Sequence, residues 1–334
     1  MNDDSLQRIL YLLADGQFHS GQELGEILGV SRTAVWKHLQ KLEGLGVSLE
    51  SIKGKGYRLC GGLDLLDSER IRSQLSSEAR SLLAELDVHT IIDSTNNYTM
   101  QQTVNRENGY ICLAEQQTAG KGRRGRQWVS PFGKNIYLSA LWNFDGVASL
   151  EGLSLAVGVV IAETLEQLGI AGVQLKWPND VLWRQRKLAG VLLEVTGDPA
   201  GLCQVVVGIG INASMPTSSA FTIDQPWVDL EAIQAELNIA RHITRNDLIA
   251  ALLTNLLPLL HNYADQQFAT YRERWERLNV YAQQLVELHT AKSVFGGRML
   301  GVDGSGALRL STEEGETLFH GGEISLRARN DSAD

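Results

Sequence analysis

Cysteine is scarce in these 334 residues, and the three present, Cys60, Cys112 and Cys203, are far apart, odd in number and in no C-x-x-C pair. That pattern excludes a disulfide framework and a cysteine-built zinc site, and it fits reduced thiols in a cytoplasm. Positive charge is also in deficit: 30 Lys and Arg face 39 Asp and Glu, a net charge of −9. The chain as a whole is therefore not an adhesive for nucleic acid, and any DNA contact has to come from a local basic patch. Long apolar runs are missing. The longest, around Leu153 to Ile161, falls well short of the roughly 20 residues a membrane span needs. No signal-peptide pattern heads the sequence either, so a soluble protein without membrane contact is expected. There are no repeats and no low-complexity segments. With 43% apolar residues the chain can bury a substantial core and has room for two or three domains.

What is present begins with a small helical unit, expected over residues 1–62. Leu6, Ile9, Leu10 and Leu13 form a first amphipathic face, and Ser20 is a plausible N-cap for a helix carrying Leu24, Ile27 and Leu28. Gly29-Val30-Ser31 makes a tight turn. The next helix, Arg32 to Glu43, buries Val35, Leu39 and Leu42 and leaves Arg32, Thr33, Trp36, Lys37, Gln40 and Lys41 outward. This is helix-turn-helix spacing over Gly21 to Gln40, with Ser31, Arg32, Thr33, Trp36 and Lys37 as the candidate DNA-reading residues. Ile52-Lys53-Gly54-Lys55-Gly56-Tyr57-Arg58 then has the glycines of a hairpin tip, and Lys53, Lys55 and Arg58 suit a wing reaching a phosphate backbone. Six Lys and Arg from Arg32 to Arg58 oppose only Glu43 and Glu50. The alternative is a three-helix interaction unit whose basic face is merely solvated.

A linker rich in Gly, Asp and Ser, Cys60 to Ser68, precedes helical material expected from Ser68 to Leu86. Strand-like runs follow at Val88 to Asp93, Tyr110 to Glu115, Ile136 to Phe144, Val173 to Trp177, Lys187 to Thr196 and Leu202 to Ile211, with one long apolar helix from Leu150 to Gly169. Strands outnumber helices, which points to an α+β domain rather than a doubly wound sheet. Thr244 to Leu278 reads as two helices capped by Thr244 or Asn246. The tail from Val280 to Leu326 has short alternating strands broken by glycines, for which a small β-barrel of SH3-like kind is the natural closure. Three parts are expected: a winged helix-turn-helix over 1–62, a mixed α/β domain over 63–278 and the barrel over 279–328.

The densest chemical signal is Gly120-Lys121-Gly122-Arg123-Arg124-Gly125-Arg126, four cations and three glycines in seven residues. Glycines let backbone N–H groups approach a ligand, and arginines offer bidentate donors to phosphoryl oxygens. A dinucleotide fingerprint is excluded, because Pro131 and Gly133 stand where its helix would run. A Walker loop is excluded too, since Gly125 is followed by Arg126 rather than Lys-Ser/Thr. A solvated basic turn is the bland alternative, but it explains neither the glycines nor Trp128. Asp93-Ser94-Thr95-Asn96 offers short neutral groups at a strand end, suited to a urea or amide head and equally to an ordinary helix N-cap. Lys176-Trp177-Pro178-Asn179-Asp180 puts a carboxylate on a rigid turn, and Lys187 opens the apolar strand Leu188 to Val195.

In this order, with Gly208-Ile209-Gly210-Ile211-Asn212 behind, these segments resemble the biotin protein ligases over nearly the whole chain. With the helix-turn-helix in front, the chain looks like their bifunctional form, a biotin–[acetyl-CoA carboxylase] ligase that also represses the biotin biosynthetic operon. One departure is visible: the family's loop usually carries arginine where Lys121 stands. The resemblance implies two steps. Biotin and ATP, with Mg²⁺, give biotinyl-5′-AMP and pyrophosphate, and a lysine of the biotin carboxyl carrier protein then takes the biotinyl group. It implies that Ser94, Thr95, Asn96 and Gln117 bind the ureido and ring end, while Lys121, Gly122 and Arg123 wrap the tail. Lys187, Arg123 and Asp180 would carry the chemistry, with Asp180 taking the carrier lysine's proton and Lys187 near the carboxylate and α-phosphate. Arg123, Arg124, Arg126, Trp128, Asn212 and Trp227 would serve the nucleotide, Trp227 closing from a loop over Ser214 to Trp227. No metal ligand is assigned. The resemblance further implies an adenylate-bound homodimer on a palindromic operator. A lipoate–protein ligase and a non-catalytic metabolite-sensing repressor are the competing readings. Against the first stand the polar residues at the ring end, since a dithiolane offers no hydrogen bonds.

Overall fold

The computed structural model describes residues 4–198, 200–216, 222–290, 292–321 and 324–328, with only the backbone described at 148 and 149. The chain opens with α1 (Asp4–Leu13), α2 (Gly21–Leu28) and α3 (Arg32–Glu43), followed by the hairpin of β1 (Leu49–Ile52) and β2 (Gly56–Leu59). Ser20 caps α2 as expected, accepting from the Glu23 N–H while the Glu23 carboxylate takes the Ser20 N–H, which satisfies two otherwise orphaned donors. Gly29, at φ 65°, ends the helix in the left-handed region that glycine occupies without strain. Ser31 caps α3 through the Ala34 N–H at 3.2 Å, so its hydroxyl has a structural duty. Arg32, Thr33, Trp36 and Lys37 are exposed on α3, and Lys53 and Lys55 are exposed at the hairpin tip. Arg58 is drawn back: it pairs with Glu50 at 2.6 Å and lies over the Phe18 ring.

Two short helices, α4 (Ser68–Gln74) and α5 (Ser77–Leu82), lead into the main domain. There β3 (Glu85–Ile92), α6 (Thr95–Gln102), β4 (Tyr110–Gln117), β5 (Ile136–Asp145), α7 (Leu153–Gln167), β6 (Val173–Lys176), β7 (Asp180–Trp183), β8 (Arg186–Gly197) and β9 (Leu202–Ile211) build a seven-stranded sheet. Its order is β3-β4-β5-β9-β8-β7-β6, with β3 and β4 parallel and every other pair antiparallel. This is the expected mixed α+β domain. Helical structure stops at Leu82 rather than Leu86, because Glu85 and Leu86 pair with Tyr110 and Ile111. β7 has no counterpart among the expected strands. After α8 (Leu230–Glu236), α9 (Arg245–Gln266) and α10 (Ala269–Leu278), β10 (Leu285–His289), β11 (Val294–Val302), β12 (Leu308–Thr312), β13 (Gly315–Phe319) and β14 (Ser325–Ala328) form a five-stranded antiparallel sheet. The expected barrel is not closed in it: among the described residues no ladder joins the edge strands β13 and β14, and four-residue β14 is paired with β10. Gly322, one of the expected barrel turns, lies outside the described residues.

Helix α7 is apolar nearly all round and is buried between the sheet and α9. The largest hydrophobic cluster runs from there into the C-terminal sheet through Trp275, Val286, Met299 and Leu326. A second cluster fills the N-terminal helices, and it contains one residue from far along the chain, Phe132. The linker is held beside it by polar contacts. Buried Glu115 accepts the Leu66 N–H at 2.6 Å and pairs with buried Arg245 at 2.8 Å; Arg245 donates in turn to the Asp64 carbonyl, and Asn246 to the Leu65 carbonyl at 2.8 Å. Removing one partner of a buried pair strands the other charge. Glu115→Ala is therefore expected to cost about 3 kcal/mol or more, read as a lower urea midpoint together with faster proteolysis around Asp64.

Candidate active-site cleft

Sheet registers decide which side chains meet. Lys176 and Asp180 face each other as a cross-strand pair in the β6–β7 hairpin, and Asp180 stands opposite Gly190 of β8. Lys187, on the same strand, reaches back to Asp180 at 2.7 Å, with both side chains largely shielded from water. Segment 226–228 runs beside it, pairing through the Lys187 N–H to the Pro226 carbonyl at 2.9 Å and the Val228 N–H to the Lys187 carbonyl at 3.0 Å. Trp227 is thereby anchored next to Lys187. Of the expected closing loop, 217–221 lie outside the described residues.

The basic loop closes on itself. Lys121 and Gln127 bridge, the Gly122 N–H donates to the Arg126 carbonyl at 2.7 Å, and the Trp128 N–H donates to the Gly120 carbonyl at 2.9 Å. The expectation that glycines aim backbone N–H groups at a phosphate is therefore corrected for Gly122, Arg126 and Trp128, whose N–H groups have carbonyl partners within the loop. The loop also brings side chains to the cleft. Arg123 donates to the Asn179 amide oxygen at 2.9 Å, and Asn179 is fixed by donating to the Val191 carbonyl at 2.9 Å.

At the opposite end, the Gln117 amide oxygen accepts from the Thr95 N–H at 2.8 Å and from the Thr95 hydroxyl at 3.1 Å, while its nitrogen donates to Ser130. Ser94 caps α6 by accepting from the Asn97 N–H, which is the N-cap alternative, and it also lines the cavity. Asn96 is buried and oriented by Ser139, which donates to its oxygen at 2.6 Å. Gly208 and Gly210 leave the room this needs: a side chain at Gly208 would strike the Asn96 amide, and one at Gly210 the Trp128 indole. The Trp128 indole N–H is buried without an acceptor among the described residues. Asn212 donates to the carbonyls of Lys187 and Val228, at 3.3 and 3.2 Å, so its amide nitrogen holds the 226–228 segment in place.

All of Ser94, Thr95, Asn96, Gln117, Lys121, Gly122, Arg123, Arg124, Arg126, Trp128, Asp180, Lys187, Asn212 and Trp227 line one cavity of about 350 Å³. Its charge is opposite to that of the chain. Among the described lining residues, Lys121, Arg123, Arg124, Arg126, Lys176 and Lys187 are set against two carboxylates, Asp180 and Asp224, with Glu194 behind Lys121 outside the lining. Burial pulls Arg123 below the usual arginine range and Lys176 below the usual lysine range, with Asp180 opposing in both cases. A cleft with more buried cation than counter-charge is short of an anion. Lys176, Asn179, Ser130, Ser139, Gly208 and Gly210 were not singled out as site residues by the sequence reading, nor were Ile324 to Leu326, which line the cleft from the C-terminal sheet. The Lys176-to-Asp180 segment and the repeated Gly-x-Gly at Gly208 and Gly210 were the available signals, and Ser130 and Ser139 had none.

The fold and cleft define a protein ligase of the biotin/lipoate class carrying a helix-turn-helix unit. Residues 88–212 match the biotin/lipoate A/B protein ligase family and residues 5–58 match an HTH domain. The bifunctional ligase/repressor BirA of Escherichia coli is 40% identical over 98% of this chain and 99% of its own length. The biotin–[acetyl-CoA-carboxylase] ligase of Paracoccus denitrificans is 30% identical over 70% of this chain and 96% of its own. Among solved structures, the biotin protein ligase of Aquifex aeolicus, in complex with biotin and ATP, matches with a TM-score of 0.63 at 28% identity, covering 74% of this chain and all of that one. The chain belongs to the bifunctional ligase/repressor family of biotin protein ligases. No described helix is long and apolar enough to cross a membrane.

Gly210→Ala is expected to push the Trp128 indole out of its seat, at a cost of about 1–3 kcal/mol for overpacking. A red shift in tryptophan emission with a lower melting temperature would register it.

Proposed function

We propose that this chain activates biotin with ATP and transfers it to a lysine of the biotin carboxyl carrier protein, and that the adenylate-bound form, as a homodimer, represses the biotin operon. The observation that carries the first half is the division of the cleft lining. Neutral hydrogen-bonding groups at Ser94, Thr95 and Gln117 form one set, Arg123, Lys176 and Lys187 gather around Asn179 and Asp180 in another, and both sets line the one cavity. A ureido ring ending in a carboxylate tail fits that division, with ATP beyond the carboxylate.

Two anions must meet for the carboxylate oxygen to attack the α-phosphorus and expel pyrophosphate. Each charge-assisted hydrogen bond from Arg123 or Lys187 supplies about 1.5–3 kcal/mol toward that approach, and more in a water-poor site. In the second step the carrier's amine attacks the acyl carbon, AMP leaves, and Asp180 takes the amine's proton while Lys187 offsets the charge on the leaving phosphate. Arg124, Arg126, Trp128 and Trp227 are assigned to the nucleotide, and Asn212 to holding the segment that carries Trp227. Among the described residues no three His, Cys, Asp or Glu side chains gather to hold an ion. Mg²⁺, if it enters with ATP, would supply charge to offset the phosphates, beside the side chains of Arg123 and Lys187. The reading as lipoate ligase is disfavoured by the polar ring end, which a dithiolane would leave unpaired.

The division into 1–62, 63–278 and 279–328, with an SH3-like closure of the last part, is retained as the working organisation, and a cytoplasmic location goes with it. Exposed Arg32, Thr33, Trp36 and Lys37 on α3 are assigned to base edges and phosphates, and Lys53 and Lys55 to the flanking backbone. Arg58, held by Glu50, steadies the wing.

ATP–pyrophosphate exchange tests the enzyme reading. Exchange with biotin, and none with lipoate or without acid, is expected; exchange with lipoate alone would reassign the substrate, and silence in all three would leave a sensor. Arg123→Gly is expected to release biotinyl-5′-AMP and label bystander proteins, whereas unchanged retention would remove Arg123 from its role. Replacing Arg32 and Lys37 by Glu should weaken duplex binding at least about tenfold and flatten its salt dependence by about one unit per lost phosphate contact. Exchange activity in that variant should stay at the wild-type level.

A further inference from the structure

Glu194 lies on β8, seven positions past Lys187, and does not line the cavity. One of its carboxylate oxygens pairs with the Lys121 ammonium at 3.1 Å, and the other accepts from the Asn96 amide at 2.8 Å. Those two donors belong to different parts of the site. Lys121 is in the basic loop, and Asn96 is fixed at the ring end by Ser139 and by the space over Gly208. The loop is tied down at its other side by Arg123, through Asn179.

We infer that Glu194 is a positioning residue, a latch that holds the basic loop shut over the cleft by joining Lys121 to Asn96, a buried residue of the cavity wall. The inference rests on the reading of the cleft as the biotin and ATP site. The chemistry of the acceptor is specific. An ammonium and a carboxamide N–H₂ both donate, and here each is taken by a different oxygen of the one carboxylate, which presents acceptors and no donor to either side. A glutamine offers one oxygen and turns a donor toward the other partner. An aspartate is one methylene short of spanning both. Because Glu194 stays outside the cavity, it acts through Lys121 and Asn96, on how long ligand is held rather than on bond making.

The ion pair is partly exposed, and such pairs shift equilibria only modestly, by about two- to fivefold. The test compares wild type, Glu194→Gln, Lys121→Met and the double variant. It measures pyrophosphate exchange against biotin concentration and the escape of biotinyl-5′-AMP from preloaded protein. Glu194→Gln is expected to raise the KM for biotin and the escape rate about two- to fivefold, with kcat at saturating biotin within about twofold of wild type. Lys121→Met, on an exposed loop, should give the same faster escape, and Glu194→Gln should add nothing to it in the double variant. Additive effects, or a kcat that falls with KM unchanged, would overturn the latch. Equal escape from wild type and both single variants would overturn it too. Wild type without biotin-dependent exchange would instead sink the reading of the cleft and the latch with it, so the two failures are told apart by the wild-type arm.

Discussion

A lysine and an aspartate held at 2.7 Å, both mostly out of water, set the terms for the rest of the cleft. Lys187 alone would be costly to bury, and Asp180 alone would repel the anions the other cations are placed to receive. Together they keep a positive charge in a poorly solvated place without neutralising the site, because Lys176 and Arg123 draw on the same carboxylate. The tight β6–β7 hairpin, the alignment of Asp180 with Gly190 and the pairing of segment 226–228 with β8 all hold that pair in position. Trp128 covers it, with its ring 5.4 Å from the Lys187 ammonium, and can lie there because Gly190 and Gly210 have no side chains.

Local features were readable from the chain. The Ser20 cap, the turn before α3 and the outward set on that helix depend on residues a few positions apart, and each stands where its spacing placed it. The basic loop was legible for the same reason, although the N–H groups of Gly122, Arg126 and Trp128 are bonded to carbonyls within it. Contacts that depend on strand register were not legible. Glu194 looks like an ordinary solvent-facing position on an alternating strand, and nothing near it in sequence announces Asn96, 98 residues away. β7 was missed because four residues opening on an aspartate that closes a Pro-Asn-Asp turn carry no period to detect. The contribution of Ile324 to Leu326 to the cleft depends on a C-terminal sheet folding back over the ligase domain, through contacts such as the Trp177 indole to the Gly306 carbonyl.

The same long-range logic joins the two halves of the molecule. Glu115 leaves the end of β4, the strand that also presents Gln117 to the ring end, and reaches the linker through Leu66. Gln117 in turn holds Ser130, whose hydroxyl donates to the Trp128 carbonyl at 2.9 Å. One strand end therefore organises both the ligand pocket and the mounting of the helix-turn-helix, within the length of two side chains.

Phe132, two residues past Ser130, is 3% exposed and belongs to the same buried cluster as Ile9, Leu10, Leu13 and Leu39. The DNA-reading part is thus completed by a ring that the enzyme part contributes. A foreign helix-turn-helix grafted in front of this ligase would have to leave a hole of phenyl size in its own interior, or else expose that ring to water. Exchanging the outward side chains of α3 leaves that shared interior intact, while replacing the whole helix-turn-helix does not.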